Sequence, residues 1–198
     1  MEKDYNTAEF NDIIQNRRSV YPYQFEKNKI IADELIWQLL ENANRAPTHK
    51  LTQPWRFTVF SGEGLKTFSE LQAKSYKKFA GENFKEKKLK NLIEYPLMSS
   101  HVIAVGMKRS TTIAIPEEEE IIATGCAIEN IYLSLTAYGL AGYLSTGSIS
   151  FLEEAKSFFG LEAQDKLVGF FFLGYAANLL NPLSKRDPIS QKVKWIKE

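Results

Sequence analysis

Arg17, Arg18 and Ser19 stand side by side at the end of a short amphipathic stretch. Two guanidinium groups and a hydroxyl can grip a phosphate dianion through charge-assisted, bidentate hydrogen bonds. The same residues also fit cationic capping of a helix C-terminus, which needs only one arginine. A second concentration of donors lies in RAPTHKLTQPW, residues 45–55. Pro47 and Pro54 fix its backbone while arginine, threonine, histidine, lysine and glutamine project from it. A rigid, donor-rich loop ahead of a strand is a binding element; the plainer reading is an ordinary helix-to-strand connection. Both readings stand on these residues alone.

Other chemistry has little to work with. The chain contains no GxGxxG after a strand, no GxxxxGK(S/T), no HExxH and no GxSxG. Its two histidines, His49 and His101, are too few for a histidine-rich metal site, and His101 opens an apolar strand where a structural role is expected. Cys126 is the single cysteine, which excludes an intrachain disulfide and a cysteine-cluster metal site. It reads as a small core residue. A net charge of +1 offers no basic field for nucleic acid or an anionic membrane, although a local phosphate pocket stays compatible with it. No membrane span is expected, since no apolar run approaches about 18 residues. The opening MEKDYNTAEF has no apolar run to act as a secretion signal, so a cytoplasmic location is the default expectation.

The elements that must position these residues follow from periodicity. Residues 7–16 carry Phe10, Ile13 and Ile14 at helical spacing, and Asp33 is a plausible N-cap for a second helix with the stripe Leu35, Ile36, Leu39, Leu40 and Ala43. Trp55–Phe60 reads as a strand. Residues 65–92 are helical and heavily charged, a solvated face, and Pro96 is expected to close that region. His101–Met107 is a second, apolar strand. Pro116 and four glutamates start a helix running to about Tyr138, apolar almost all round. In a chain of this length a helix buried on most sides points to a subunit interface. A short strand at 142–144, a helix at about 151–159 and the most apolar strand, Val168–Tyr175, follow; that last strand is expected at the sheet centre. The expected fold is α+β in a single domain over residues 1–198, a mixed, mainly antiparallel sheet flanked by helices. The extended polar tail, 178–198, suits reaching over a partner subunit.

Five landmarks occur in order over residues 12–187: RRSV; A-P-x5-Q-P-W-R-F; GxAxxNxxL in the long helix; GLAGYLSTG; and VGFFFLGYA. Together they resemble the nitroreductase family, in its small compact type. The resemblance implies a domain-swapped homodimer with FMN between the subunits and NADPH or NADH as donor. It implies that Arg17, Arg18 and Ser19 hold the phosphate and ribityl chain, with Lys185 and Arg186 returning to the phosphate. Arg45, Thr48, His49 and Gln53 would lie against the flavin ring from the other subunit, and Leu144, Ser145 and Thr146 would pass over it. Catalysis would need no side-chain nucleophile: electrons would move by ping-pong from NAD(P)H through flavin to a nitroaromatic, quinone or similar flat small molecule. His49 or Lys50 is the candidate for tuning the flavin. Many members carry a basic residue where this chain has Tyr21, and the substrate pocket of the family is built by the region corresponding to 65–100. The alternatives are a specialised reductase of one enone-type metabolite and a non-enzymatic flavin-binding protein.

Overall fold

Strands β2 (His101–Met107) and β4 (Lys166–Gly174) are apolar at almost every position, so both faces of each must be covered, and they form the centre of the sheet. The computed structural model describes residues 4–147, 152–178 and 185–197. β1 (Trp55–Ser61) and β3 (Ala141–Ser145) take the two edges, giving the order β1-β2-β4-β3 with every neighbouring pair antiparallel. β1 runs in register from Trp55 opposite Met107 to Ser61 opposite His101, and a bulge falls between Val105 and Gly106.

Alternation along β4 divides the core. Phe171 and Leu173 face the side covered by α2 (Asp33–Ala43) and α5 (Glu117–Ala137), where Leu39, Ala127, Ile131 and Leu135 complete a buried cluster. Phe170 and Phe172 face the other side, joined by Phe60 of β1, Leu152, Leu161 and Phe68 of α3 (Glu63–Phe79). α1 (Thr7–Asn16) touches the long helix, its first turn capped by the Asn6 side chain, which accepts from the amides of Ala8 and Glu9. The α+β class and the central place of the last strand are therefore as expected.

Several local expectations are corrected. Asp33 begins α2 rather than capping it, because its carboxylate accepts from His101 Nε2 at 3.1 Å. Buried His101 also bonds Ser100 Oγ at 2.8 Å, and that oxygen accepts from the Ile31 amide, so the histidine does bolt α2 to β2. The charged region 65–92 is two helices, since Gly81, at φ +50°, breaks the run before α4 (Glu86–Leu97). Pro96 lies in the last turn of α4, which closes one residue beyond it at Leu97. Proline cannot donate to the Leu92 carbonyl, and the buried Gln72 side chain of α3 supplies that bond at 3.2 Å while Ser69 bonds Ile93 O at 2.9 Å. The segment expected as a helix at 151–159 is a 3-10 helix, Glu153–Phe159, closed by left-handed Gly160 before α-helical register can establish itself. Cys126 is half-buried against the core. The long helix is buried along one side only: Ile122 is 65% exposed. Of the tail, 185–197 are exposed and contain one short turn, Ile189–Lys192; 179–184 and 198 lie outside the described residues.

Candidate functional site

The arginine segment leaves α1 at Arg17 and runs along the edge of β3, where the Val20 amide donates to Gly142 O at 2.9 Å. Gly142 is required here: a Cβ would come within 2.6 Å of Leu135 on α5. The close approach brings Tyr132 of α5 against both segments. Its hydroxyl lies 3.3 Å from Ser19 Oγ and accepts the Leu144 amide at 3.0 Å, while the Arg17 guanidinium sits 4.9 Å above its ring. One phenol thus joins three of the sequence-predicted residues, Arg17, Ser19 and Leu144. Tyr132 itself escaped the sequence reading because it stands in an apolar helix. The available signal was that a tyrosine inside such a stripe needs a partner for its hydroxyl.

Arg18 behaves differently. Its Nη1 donates to the carbonyls of Gln15 and Arg17, the capping geometry anticipated as the plainer reading, while its buried Nε has no partner. It borders a hollow of about 430 Å³ whose wall includes Thr136, Gly139 and Ala176–Asn178. Lys185 and Arg186, further along the chain from Asn178, are exposed.

The loop expected to meet a ring is held open under backbone strain. Lys50, Leu51 and Gln53 all have positive φ, at +48°, +54° and +45°, a region that costs non-glycine residues about 1 kcal/mol or more each. A short brace maintains it: Thr48 Oγ1 bonds Thr52 Oγ1 at 3.0 Å and accepts the Gln53 amide at 3.2 Å, while Trp55 Nε1 donates to Asn44 at 3.0 Å. Arg45, His49, Lys50 and Gln53 point to solvent, and Leu51 is 75% exposed. His49 pairs with Glu119 in the first turn of α5, so a carboxylate offsets any charge it carries. Glu119 and Tyr132 are separated along α5 by about 20 Å at the helical rise of 1.5 Å per residue. The loop and the Tyr132 junction of one chain are therefore not brought together.

At the end of β3, Ser145 is half-buried, and Thr146 beyond it is exposed. Tyr143 packs at a tilt against Tyr21 with ring centres 4.4 Å apart, so the position expected to be basic carries instead one ring of an aromatic row that continues, stacked, to Tyr23. Burial pushes the Tyr143 phenol pKa up, partly opposed by its hydrogen bond to Ser145. Among the described residues no cluster of histidine, cysteine and carboxylates suits a metal, and no helix is long and apolar enough to cross a membrane.

A sequence model of the nitroreductase family matches residues 14–175. The chain belongs to the nitroreductase family. This nitroreductase is 30% identical over 141 residues to YdjA of Escherichia coli (strain K12), a protein named as an NAD(P)H nitroreductase, across 71% of this chain and 75% of YdjA. Its structure matches that of a nitroreductase-like family protein from Bacillus cereus at a TM-score of 0.79 and 26% identity, covering 100% of both chains. The FMN-dependent nitroreductase NfnB from Mycobacterium smegmatis, solved in complex with NADPH, shares the fold at a TM-score of 0.75 and 17% identity, over 97% of this chain and 100% of that one.

Proposed function

We propose that this nitroreductase is an FMN-dependent enzyme that moves two electrons by ping-pong from NADH or NADPH to a nitroaromatic, quinone or similar flat acceptor, as a homodimer with two split sites. The observation that carries the reading is the Tyr132 junction, which holds a phosphate-binding residue type and a ring-bordering turn in one hydrogen-bonded unit. The residues fit FMN: Arg17, Arg18 and Ser19 offer cationic and hydroxyl donors, and Arg18 keeps an unpaired buried Nε at the hollow. Asn178 lines that hollow on the way to Lys185 and Arg186, the second basic pair. When bound, the flavin supplies the electron chemistry, which explains why no nucleophile or histidine-centred acid–base pair is needed.

The chain's own groups bind and orient. Leu144, Ser145 and Thr146 border the ring; Arg45, Thr48, His49 and Gln53 meet it from the second subunit, because their loop lies too far from the junction of its own chain. With His49 paired to Glu119, Lys50 is the better placed tuning cation. Exposed apolar residues favour the dimer: Ile122 on α5, Phe10 on α1, and Ile189, Trp195 and Ile196 in the tail. The outer edge of β1 has no strand partner among the described residues, which suits addition of the partner's tail.

The test is a visible spectrum of purified protein without oxygen, before and after NADPH and then NADH. A flavin spectrum that bleaches supports the reading. Flavin that is bound but never reduced points to a carrier, and a colourless protein that refuses added FMN removes the cofactor altogether.

A further inference from the structure

The lysine-rich stretch 85–90 reads as a solvated helix face, and Lys85, Lys87 and Lys90 are indeed exposed. Lys88 is the exception. It is half-buried, its ammonium donates to Gly147 O at 2.9 Å, and it lies 5.5 Å from the centre of the Tyr76 ring. The bond crosses 59 residues of sequence, from α4 to the turn after β3. Its support is rigid. Tyr76 is fully buried, and its hydroxyl donates to Asn83 O at 3.2 Å and accepts the Lys85 amide at 2.7 Å. The same residue therefore closes the α3–α4 connection and presents an aromatic face to Lys88. Desolvation, with Lys85 nearby, lowers the pKa of Lys88, in keeping with an ammonium drawn out of water.

We propose that Lys88 is a positioning residue, a clasp through which the α3–α4 hairpin holds Leu144–Gly147, the end of β3 and the turn after it, in the shape that closes on the cofactor. This rests on the FMN reading of the same turn. A carbonyl on a short turn has many orientations open to it, and a charge-assisted bond from a helix with its own buried anchor selects one. Tyr132 fixes the turn at the Leu144 amide and Lys88 fixes it at Gly147 O, so both ends are tied to different helices.

The experiment compares wild type, Lys88→Met and Lys88→Arg in two measurements. In flavin-free protein, amide hydrogen exchange over residues 144–147 is expected to be at least about tenfold faster in Lys88→Met and near wild type in Lys88→Arg. In titrations with FMN, Lys88→Met is expected to bind about tenfold more weakly, the lower end for losing a charged donor, with Lys88→Arg recovering most of the affinity. Unchanged exchange in Lys88→Met, or unchanged FMN affinity despite faster exchange, overturns the clasp while leaving the flavoenzyme reading intact. Wild-type protein that takes up no FMN overturns both, and the wild-type spectrum distinguishes the two failures.

Discussion

Tyr132→Phe removes a single oxygen from the junction and leaves the ring in place beneath Arg17 and edge-on to Phe171, 4.5 Å away. Two bonds are lost. The Ser19 hydroxyl is exposed and can turn to water, so its bond contributes a few tenths of a kcal/mol at most. The Leu144 amide is partly buried on the edge strand and has no comparable escape; stranding it costs about 1–2 kcal/mol. For a domain of this size that corresponds to a fall in Tm of roughly 2–8 °C. Because the same loss frees Ser19 and Leu144 from each other, FMN binding is expected to weaken by about tenfold, or ~1.4 kcal/mol. Differential scanning calorimetry of the flavin-free protein and a fluorescence titration with FMN measure the two effects separately. Tyr132→Leu, which also removes the ring, must be clearly worse in both. A phenylalanine variant with wild-type Tm and wild-type FMN affinity would refute the idea that this hydroxyl organises the site.

Three further outcomes follow from features outside the junction. Burial raises the pKa of Tyr143, so just above the usual phenol value of about 10 the folded state holds more protons than the unfolded one, and stability falls as pH rises through that window. Thermal unfolding at closely spaced alkaline pH values is expected to show a shallower decline in Tyr143→Phe than in wild type. His101→Phe strands the Ser100 hydroxyl in the interior and is expected to cost about 1–3 kcal/mol in urea unfolding, whereas Asp33→Ala, at a largely exposed partner, costs under about 0.5 kcal/mol. Equal losses in the two variants would show that the bolt is not where the energy lies. Deleting residues 185–198 is expected to convert a dimer into monomer by sedimentation; a truncated chain that still sediments as the dimer contradicts the exchanged tail.

Much of this was legible because periodic burial writes itself into sequence. The apolar runs of β2 and β4 and the stripes of α1 and α2 appear within a residue or two of their expected limits. What failed were local rules overruled by tertiary partners. Pro96 reads as a stop and α4 does close at Leu97, yet the proline itself is admitted to the last turn because Gln72, 24 positions earlier, takes the Leu92 carbonyl. Asp33 reads as a cap, yet His101 takes its carboxylate. The candidate site divides the same way. Residue types announced Arg17, Ser19 and the Pro47 loop, but nothing local distinguishes Tyr132 from its apolar neighbours or Lys88 from three solvated lysines. Both acquire their roles only from contacts across the fold.

The Pro96–Gln72 contact also leaves a trace in how this sequence can change. With proline at 96, the Leu92 carbonyl depends on Gln72, and losing that glutamine exposes a deficit of about 1–3 kcal/mol against a total stability that is typically 5–15. With an ordinary residue at 96, the helix would satisfy the carbonyl itself and that bond from position 72 would no longer be needed. Substitution is therefore one-directional: the proline can leave first, the glutamine cannot. Lineages related to this chain should contain glutamine without proline far more often than proline with an apolar residue at 72, a historical ratchet set by one missing N–H.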